Sequence, residues 1–168
     1  TKTNTLYTYG TTASTIDCLR AVAAYKNEVA YAATQLTLST KPSPAAATIK
    51  SNTVYVGDQK GEEIVDFTDN YIVGNTTVST RTAYSYGTAF AAASNNVINS
   101  YISRTVTRKG ILAGDILKQV SFYKNAEKGE ELVDWSIEYS SDGSKTKTNT
   151  LYTYGTTAST IACLRAVA

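Results

Sequence analysis

Residues 1–23 read TKTNTLYTYGTTASTIDCLRAVA, and residues 146–168 read TKTNTLYTYGTTASTIACLRAVA, so one segment appears twice at an offset of 145 residues. Asp17 against Ala162 is the sole difference between the two copies. A period this long points to an array built by repetition, and it sets the frame for every other feature. The two copies are expected to adopt the same conformation one step apart.

A more diverged repeat lies inside the first. Thr53 to Gly87 reads TVYVGDQKGEEIVDFTDNYIVGNTTVSTRTAYSYG, and Ser121 to Gly155 reads SFYKNAEKGEELVDWSIEYSSDGSKTKTNTLYTYG, aligned without a gap at an offset of 68. The element YxYG ends at Gly10, Gly87 and Gly155. These landmarks divide the chain into the end of a preceding repeat (1–10), unit A (11–87), unit B (88–155) and the start of the next repeat (156–168). The positions kept between units are apolar, aromatic or turn-forming: Phe67 with Trp135, Tyr71 with Tyr139, Tyr84 with Tyr152, Tyr86 with Tyr154, and Gly87 with Gly155. That is the signature of a packing scaffold. Unit A is the longer, and its extra residues lie around TKPSPAAAT, where a loop would accept them.

Strand patterning fills the units. Val78, Thr80, Thr82, Tyr84 and Tyr86 alternate with Ser79, Arg81, Ala83 and Ser85, and Thr146 to Tyr154 repeats the alternation. Period-two spacing places Thr and Tyr on one face of a strand. Val65, Phe67 and Tyr71 share a parity upstream, as do Val133, Trp135 and Tyr139. Asp142-Gly143, Gly74-Asn75 and the Lys-Gly-Glu-Glu runs mark turns. Together with NTVYVGD and KQVSFYKN they make a three-stranded antiparallel meander the minimum unit. Residues 94–107, with Val97, Tyr101 and Ile102, read as a fourth strand. Residues 14–38 are divided between helix and strand; Ala-rich composition favours the first, and shared architecture favours strand after a short helical turn near Ser14–Leu19. The expected fold class is all-β: tandem meanders forming a rolling sheet, a solenoid or stacked small sandwiches. One such unit buries little apolar surface, so stability should come from neighbouring units, and exposed edges should pair with another copy.

Composition agrees. The chain holds 27 Thr and 13 Tyr against 3 Phe and 1 Trp, with no His and no Met. Thr and Tyr suit a pleated, half-buried surface. Charged residues make up 18% with a net charge of +2, too balanced to favour nucleic acid or an anionic membrane. No apolar run is long enough for a membrane helix, and no signal peptide is visible. Cys18 and Cys163 are one position seen twice. They read as a small apolar side chain or as a thiol bridging neighbouring copies.

The passage YSSDGSKTKTNTLYTYG, with its aspartate-glycine turn and Thr/Tyr-rich strand, resembles the tyrosine–aspartate repeats of bacterial Rhs-type surface and shell proteins. Tyr-Gly stands at 9–10, 86–87 and 154–155 where that family usually has Tyr-Asp. The resemblance spans about 20 residues per unit, and it implies an extended β-sheet laid out by repetition outside the cell.

Chemistry is sparse. Without His the usual general base and commonest metal ligand are missing, and no phosphate loop, dinucleotide fingerprint or cysteine cluster occurs. No catalytic or cofactor-binding residues are expected. Two acidic clusters could supply oxygen ligands for calcium: Glu62, Glu63 and Asp66 with Asp69, and Glu130, Glu131 and Asp134 with Glu138. They lack the EF-hand spacing and read more simply as solvated turns, with Asp66 and Asp134 also suited to a buried, hydrogen-bonded place. The Tyr stripe reads as packing with its hydroxyls partnered at the sheet margin, or as a glycan- or partner-binding surface. Asn75-Thr76-Thr77 is a glycosylation sequon on a turn. These features point to a structural protein forming an extracellular filament, tube or surface layer from copies of itself. The alternatives are an adhesin stalk and an Rhs-like shell around a cargo domain.

Overall fold

In the computed structural model, residues 2–12, 16–27, 45–155 and 164–167 are described. They form eleven strands: β1 (Lys2–Tyr9), β2 (Leu19–Asn27), β3 (Ile49–Val56), β4 (Ile64–Tyr71), β5 (Val78–Tyr86), β6 (Ala91–Ala92), β7 (Ile102–Lys109), β8 (Leu117–Lys124), β9 (Leu132–Tyr139), β10 (Thr146–Tyr154) and β11 (Leu164–Val167). Ten of them follow chain order in one antiparallel sheet, and the short β6 pairs only with β5. The sheet is open: among the described residues β1 and β11 each have one neighbour.

Every strand has its extensive contacts with its ladder neighbours, and among the described residues no second sheet packs on either face. Stacked sandwiches are therefore excluded for the described residues, and the meander carries four main strands per unit where the sequence suggested at least three. Helical structure there is limited to two 3-10 turns, Ala46–Thr48 and Asn95–Val97. The second of these corrects the strand expected over 94–107, which starts only at Ile102. Asn95 to Val97 turn instead because the chain must fold back over the sheet, sinking Ile98 into the core. The helical turn expected near Ser14–Leu19 is also absent from its described part: Ile16 bridges Gly10, Asp17 takes a left-handed φ of 64°, and Leu19 opens β2. Strand wins at 19–27. The remainder of that ambiguous segment and most of the Pro-containing loop lie outside the described residues.

All nine pairs of the main ladder slip register once. The extra residue is charged in most cases: Arg20, Lys50, Asp66, Lys118, Asp134, Lys147 and Arg165. A bulge inserts one residue and increases the local right-handed twist, so a slip in every pair adds twist along the whole sheet. It also breaks strict alternation. Val65 stands opposite Tyr55, with Asp66 extra, so the shared parity of Val65 with Phe67 is lost; Val133 stands opposite Tyr123 in the same way.

Cross-strand partners share a face, which gives each face a composition. One face carries the row Thr53, Thr68, Thr82 and Thr107, and the row Tyr84, Thr105, Ser121, Ser136 and Thr150. Hydroxyls bond in pairs along the first row, Thr53 with Thr68 at 3.0 Å and Thr82 with Thr107 at 2.8 Å. Tyr7, Tyr55, Tyr84, Tyr123 and Tyr152 fall on every second strand of the sheet order. Burial first, then the neighbouring Tyr84 and Tyr7, raise the Tyr55 phenol above its ordinary value, so these rings lie within electrostatic reach of one another. Thr105, Ser121 and Ser136 are buried beside this stripe. Large rings next to small hydroxyls shield a polar face without a second layer.

The small apolar core sits mid-sheet, where β4 and β7 begin and β5 ends. Ile64, Tyr86 and Ile98 are buried, with Tyr84, Ala93, Val97 and Ile102 packed against them. The segment 88–101 between β5 and β7 forms the lid. Gly57 lies beneath it: a Cβ there would meet Glu63 Cα and Ile98 Cδ1 at 3.0 Å each, and its φ of 145° disfavours a side chain.

Candidate functional site

The turns of sequence Lys-Gly-Glu-Glu lead into β4 and β9 on that same margin of the sheet. In each, a glycine with φ near 87° (Gly61 at 86°, Gly129 at 88°) turns the chain, and space is not the reason, since nothing stands within 4 Å of the absent side chain. The turn brings the second glutamate back along the sheet. Glu63 Oε1 accepts the amide of Leu19 at 2.7 Å, and Oε2 accepts that of Gly61 at 2.8 Å. Glu131 Oε1 accepts the amide of Ile102 at 2.9 Å, and Oε2 accepts that of Gly129 at 2.9 Å. Leu19 and Ile102 are the first residues of β2 and β7. Each carboxylate therefore clasps a later turn to the start of a strand two places earlier in the sheet. Burial works to raise the Glu63 pKa, but amide hydrogen bonds from Glu63 itself, Leu19 and Gly61, with Arg20 near, outweigh it and hold the group below its ordinary value.

The first glutamate of each run faces outward. Glu62 pairs with Lys128 of the next turn at 2.8 Å, and Lys60 pairs with Asp17 at 3.6 Å. Asp66 and Asp134 are the extra residues of equivalent bulges, with different fates. Burial raises the Asp66 carboxyl pKa, partly offset by Arg81, whereas Asp134 pairs with Lys124 at 2.9 Å. Glu63 and Glu131 turn to amides, and Glu62 and Asp134 to lysines. Among the described residues no three carboxylates converge as ion ligands, the calcium candidates Glu62, Glu63, Asp66, Glu130, Glu131 and Asp134 included.

Tyrosine hydroxyls meet the margin as expected at two equivalent positions. Tyr86 donates to the Val65 carbonyl at 2.6 Å and Tyr154 to the Val133 carbonyl at 2.8 Å. Burial, with Tyr84 and Glu131 nearby, pushes the Tyr86 phenol well above the usual range despite that bond. Gly87 turns with φ 63°, and Gly155 closes its strand as a bridge residue. Tyr71 and Tyr139 end β4 and β9. Cys18 is free and 2% exposed, packed as a small apolar side chain; Cys163 lies outside the described residues.

The opposite face of the sheet holds what the sequence pattern left unread. Asp69 is 4% exposed and takes a two-pronged bond from Arg81, both contacts at 2.7 Å, while the Arg81 guanidinium lies 3.8 Å from the Phe67 ring centre. The signal was there in the cross-strand pairing of an acid and an arginine, but it needed the register. Phe122 stacks on Trp135 at 4.2 Å, Phe90 meets Phe122 edge-on at 6.1 Å, and Arg104 lies over Phe90 at 4.8 Å. Beside them a groove of about 280 Å³ is lined by Arg81, Arg104, Arg108, Ile111 and Leu112 among others.

The two ends of the sheet can be compared directly. Tyr7, Thr8 and Tyr9 of β1 stand opposite Val22, Ala21 and Leu19; Tyr152, Thr153 and Tyr154 of β10 stand opposite Val167, Ala166 and Leu164. The register is the same, and so is the bulge, at Arg20 and Arg165. Among the described residues no helix is long and apolar enough to cross a membrane. No known protein family, curated protein or solved structure matches the chain.

Proposed function

We propose that this chain is a section of a structural array, an extracellular filament, tube or surface layer in which successive copies continue one twisted β-sheet. The observation that carries this reading is the identical register and bulge adopted by the two copies of the duplicated segment, β1–β2 and β10–β11. A sheet whose strands depend on their immediate neighbours can be lengthened indefinitely, with stability adding up step by step. The clasp glutamates support it further. Each reaches across two strand positions, so each new turn fastens the strands laid down before it. Work done by such a molecule is mechanical, and its partners are further copies of itself.

Electron microscopy of the native material tests this. Long particles with a regular axial repeat are expected, and isolated globular monomers without one would sink the reading. A second reading, a stalk presenting a binding surface, draws on the Phe90–Phe122–Trp135 cluster beside Arg104, which among the described residues occurs in unit B alone. Saturable glycan binding lost in Trp135→Ala would favour it.

A further inference from the structure

We infer that the outer edge of β1 is a docking edge for one particular strand: the segment Leu132–Tyr139 of an adjacent copy of the 145-residue period. This rests on the array reading and gives it a partner, a register and a contact. The starting point is identity of sequence. Residues 2–9 and 147–154 are the same eight residues, so any difference in their surroundings comes from neighbours and not from side chains. On β10 the side away from β11 is occupied by β9. Thr148 stands opposite Glu138, Asn149 opposite Ile137, Thr150 opposite Ser136 and Leu151 opposite Trp135. On β1 the corresponding side carries no strand among the described residues.

The consequences appear residue by residue on the tyrosine face. Thr150, Tyr152 and Tyr154 are half-buried, whereas Thr5 is exposed and Tyr7 and Tyr9 are each 52% exposed. Tyr154 and Tyr86 both lean toward the strand before their own and donate to equivalent carbonyls, Val133 and Val65. Tyr9 occupies the same place in the motif and has its strand partner only on the other side. A β9 segment added to β1 would set Glu138 opposite Thr3, Ile137 opposite Asn4, Ser136 opposite Thr5 and Trp135 opposite Leu6, and it would bring the Val133 carbonyl to the Tyr9 hydroxyl. Main-chain hydrogen bonds would supply the affinity and the alternating side chains the register, as in other strand additions. An open edge of this length is also what folded proteins cover or block.

The test uses the 168-residue chain, labelled with nitrogen-15, and an unlabelled synthetic peptide of residues 117–139, which carries β8 and β9. Amide hydrogen exchange is followed by NMR as the peptide is added. Saturable protection of the β1 amides that point away from β2, slowed about tenfold or more, is expected, with β11 unchanged. The Ser136→Pro peptide, which cannot supply an amide on the side that β9 turns to β10, should leave β1 unprotected. Unchanged β1 exchange with the unmodified peptide, or protection of another strand instead, would overturn the assignment. Microscopy keeps the two claims apart: particles with an axial repeat but no β1 protection would refute this edge and leave the array standing, and particles without a repeat would refute the array itself.

Discussion

The strands β2–β5 and β7–β10 follow the same course with different fillings. Both have a bulged aspartate, a glutamate clasp onto the first strand's opening amide, and a tyrosine hydroxyl on an equivalent carbonyl. They differ in what fills the space between. Unit A has the ion pair Asp69–Arg81 where unit B has Ile137 opposite Asn149, and Tyr86 lies under the 88–101 lid while among the described residues none forms such a cover over Tyr154. The recurring set directs the backbone, and the variable set is interchangeable packing. Mutations should therefore behave alike at recurring positions whose surroundings match, and differently where the surroundings differ.

The largest contrast should come from the lid. Tyr86 is 2% exposed, so Tyr86→Ala removes a buried ring and should cost about 3–5 kcal/mol. Tyr154→Ala, at a half-buried site, should cost about half as much. Urea unfolding of the two variants measures both. Equal losses would mean the lid contributes nothing and would erase the main energetic difference between units.

Next is the ion pair. The Asp69 side chain is 5% exposed and that of Arg81 28%, so Asp69→Asn leaves a half-buried guanidinium without its partner and should cost about 2–3 kcal/mol. The double change Asp69→Ile with Arg81→Asn installs unit B's pair in unit A. It should fall within about 1 kcal/mol of the parent, because replacing both partners avoids the uncompensated charge. A double variant as unstable as Asp69→Asn would show that the pair is part of the shared frame.

Much of this fold is legible in the amino-acid order alone. The 23-residue duplication, the Thr/Tyr alternation and the turn residues together specify a meander, and Tyr86, Tyr154, Gly61 and Gly129 take places their spacing suggests. The bulges are hidden, because a single extra residue such as Asp66 looks like an ordinary strand position until its partner strand is known. The lid is hidden for a similar reason. Ala91, Ala92, Asn95 and Val97 carry no strong periodicity, and their place is decided by the space over Tyr86. The acidic runs leave their partners open, since spacing in sequence does not say that Glu63 turns inward to amides while Glu62 turns outward to Lys128.

The clasp gives a pH-dependent test of the recurring set. The Glu63 carboxyl sits below its ordinary value in the fold, so its stabilisation is full above about pH 4.5 and is lost as pH falls through the folded pKa. Glu63→Gln should cost about 1–2 kcal/mol at pH 7, as for a charge-assisted hydrogen bond partly exposed to water. The gap between parent and variant should narrow toward zero in acid. Glu131→Gln should lose a similar amount at pH 7, since its two amide contacts match. Thermal melts at stepped pH would show it, and a much smaller loss at Glu131 would break the equivalence of the units.

The smallest effects belong to the ion pairs that run from turn to turn. Lys128 reaches Glu62 at 2.8 Å and Lys60 reaches Asp17 at 3.6 Å, but the Asp17 and Lys60 side chains are 68% and 73% exposed. Exposed pairs contribute little and are screened by salt, so Lys128→Ala should cost no more than about 0.5 kcal/mol, vanishing at high ionic strength. Asp17→Ala copies the one change that separates the two 23-residue segments and should cost about 0.5–1 kcal/mol at any salt, because the φ of 64° suits Asp better than Ala. A Lys128→Ala loss above about 1 kcal/mol at low salt that shrinks at high salt would show the outward charges holding turns together. A loss at Asp17 well beyond that backbone cost would mark the change from Asp17 to Ala162 as a functional difference between the two copies rather than drift.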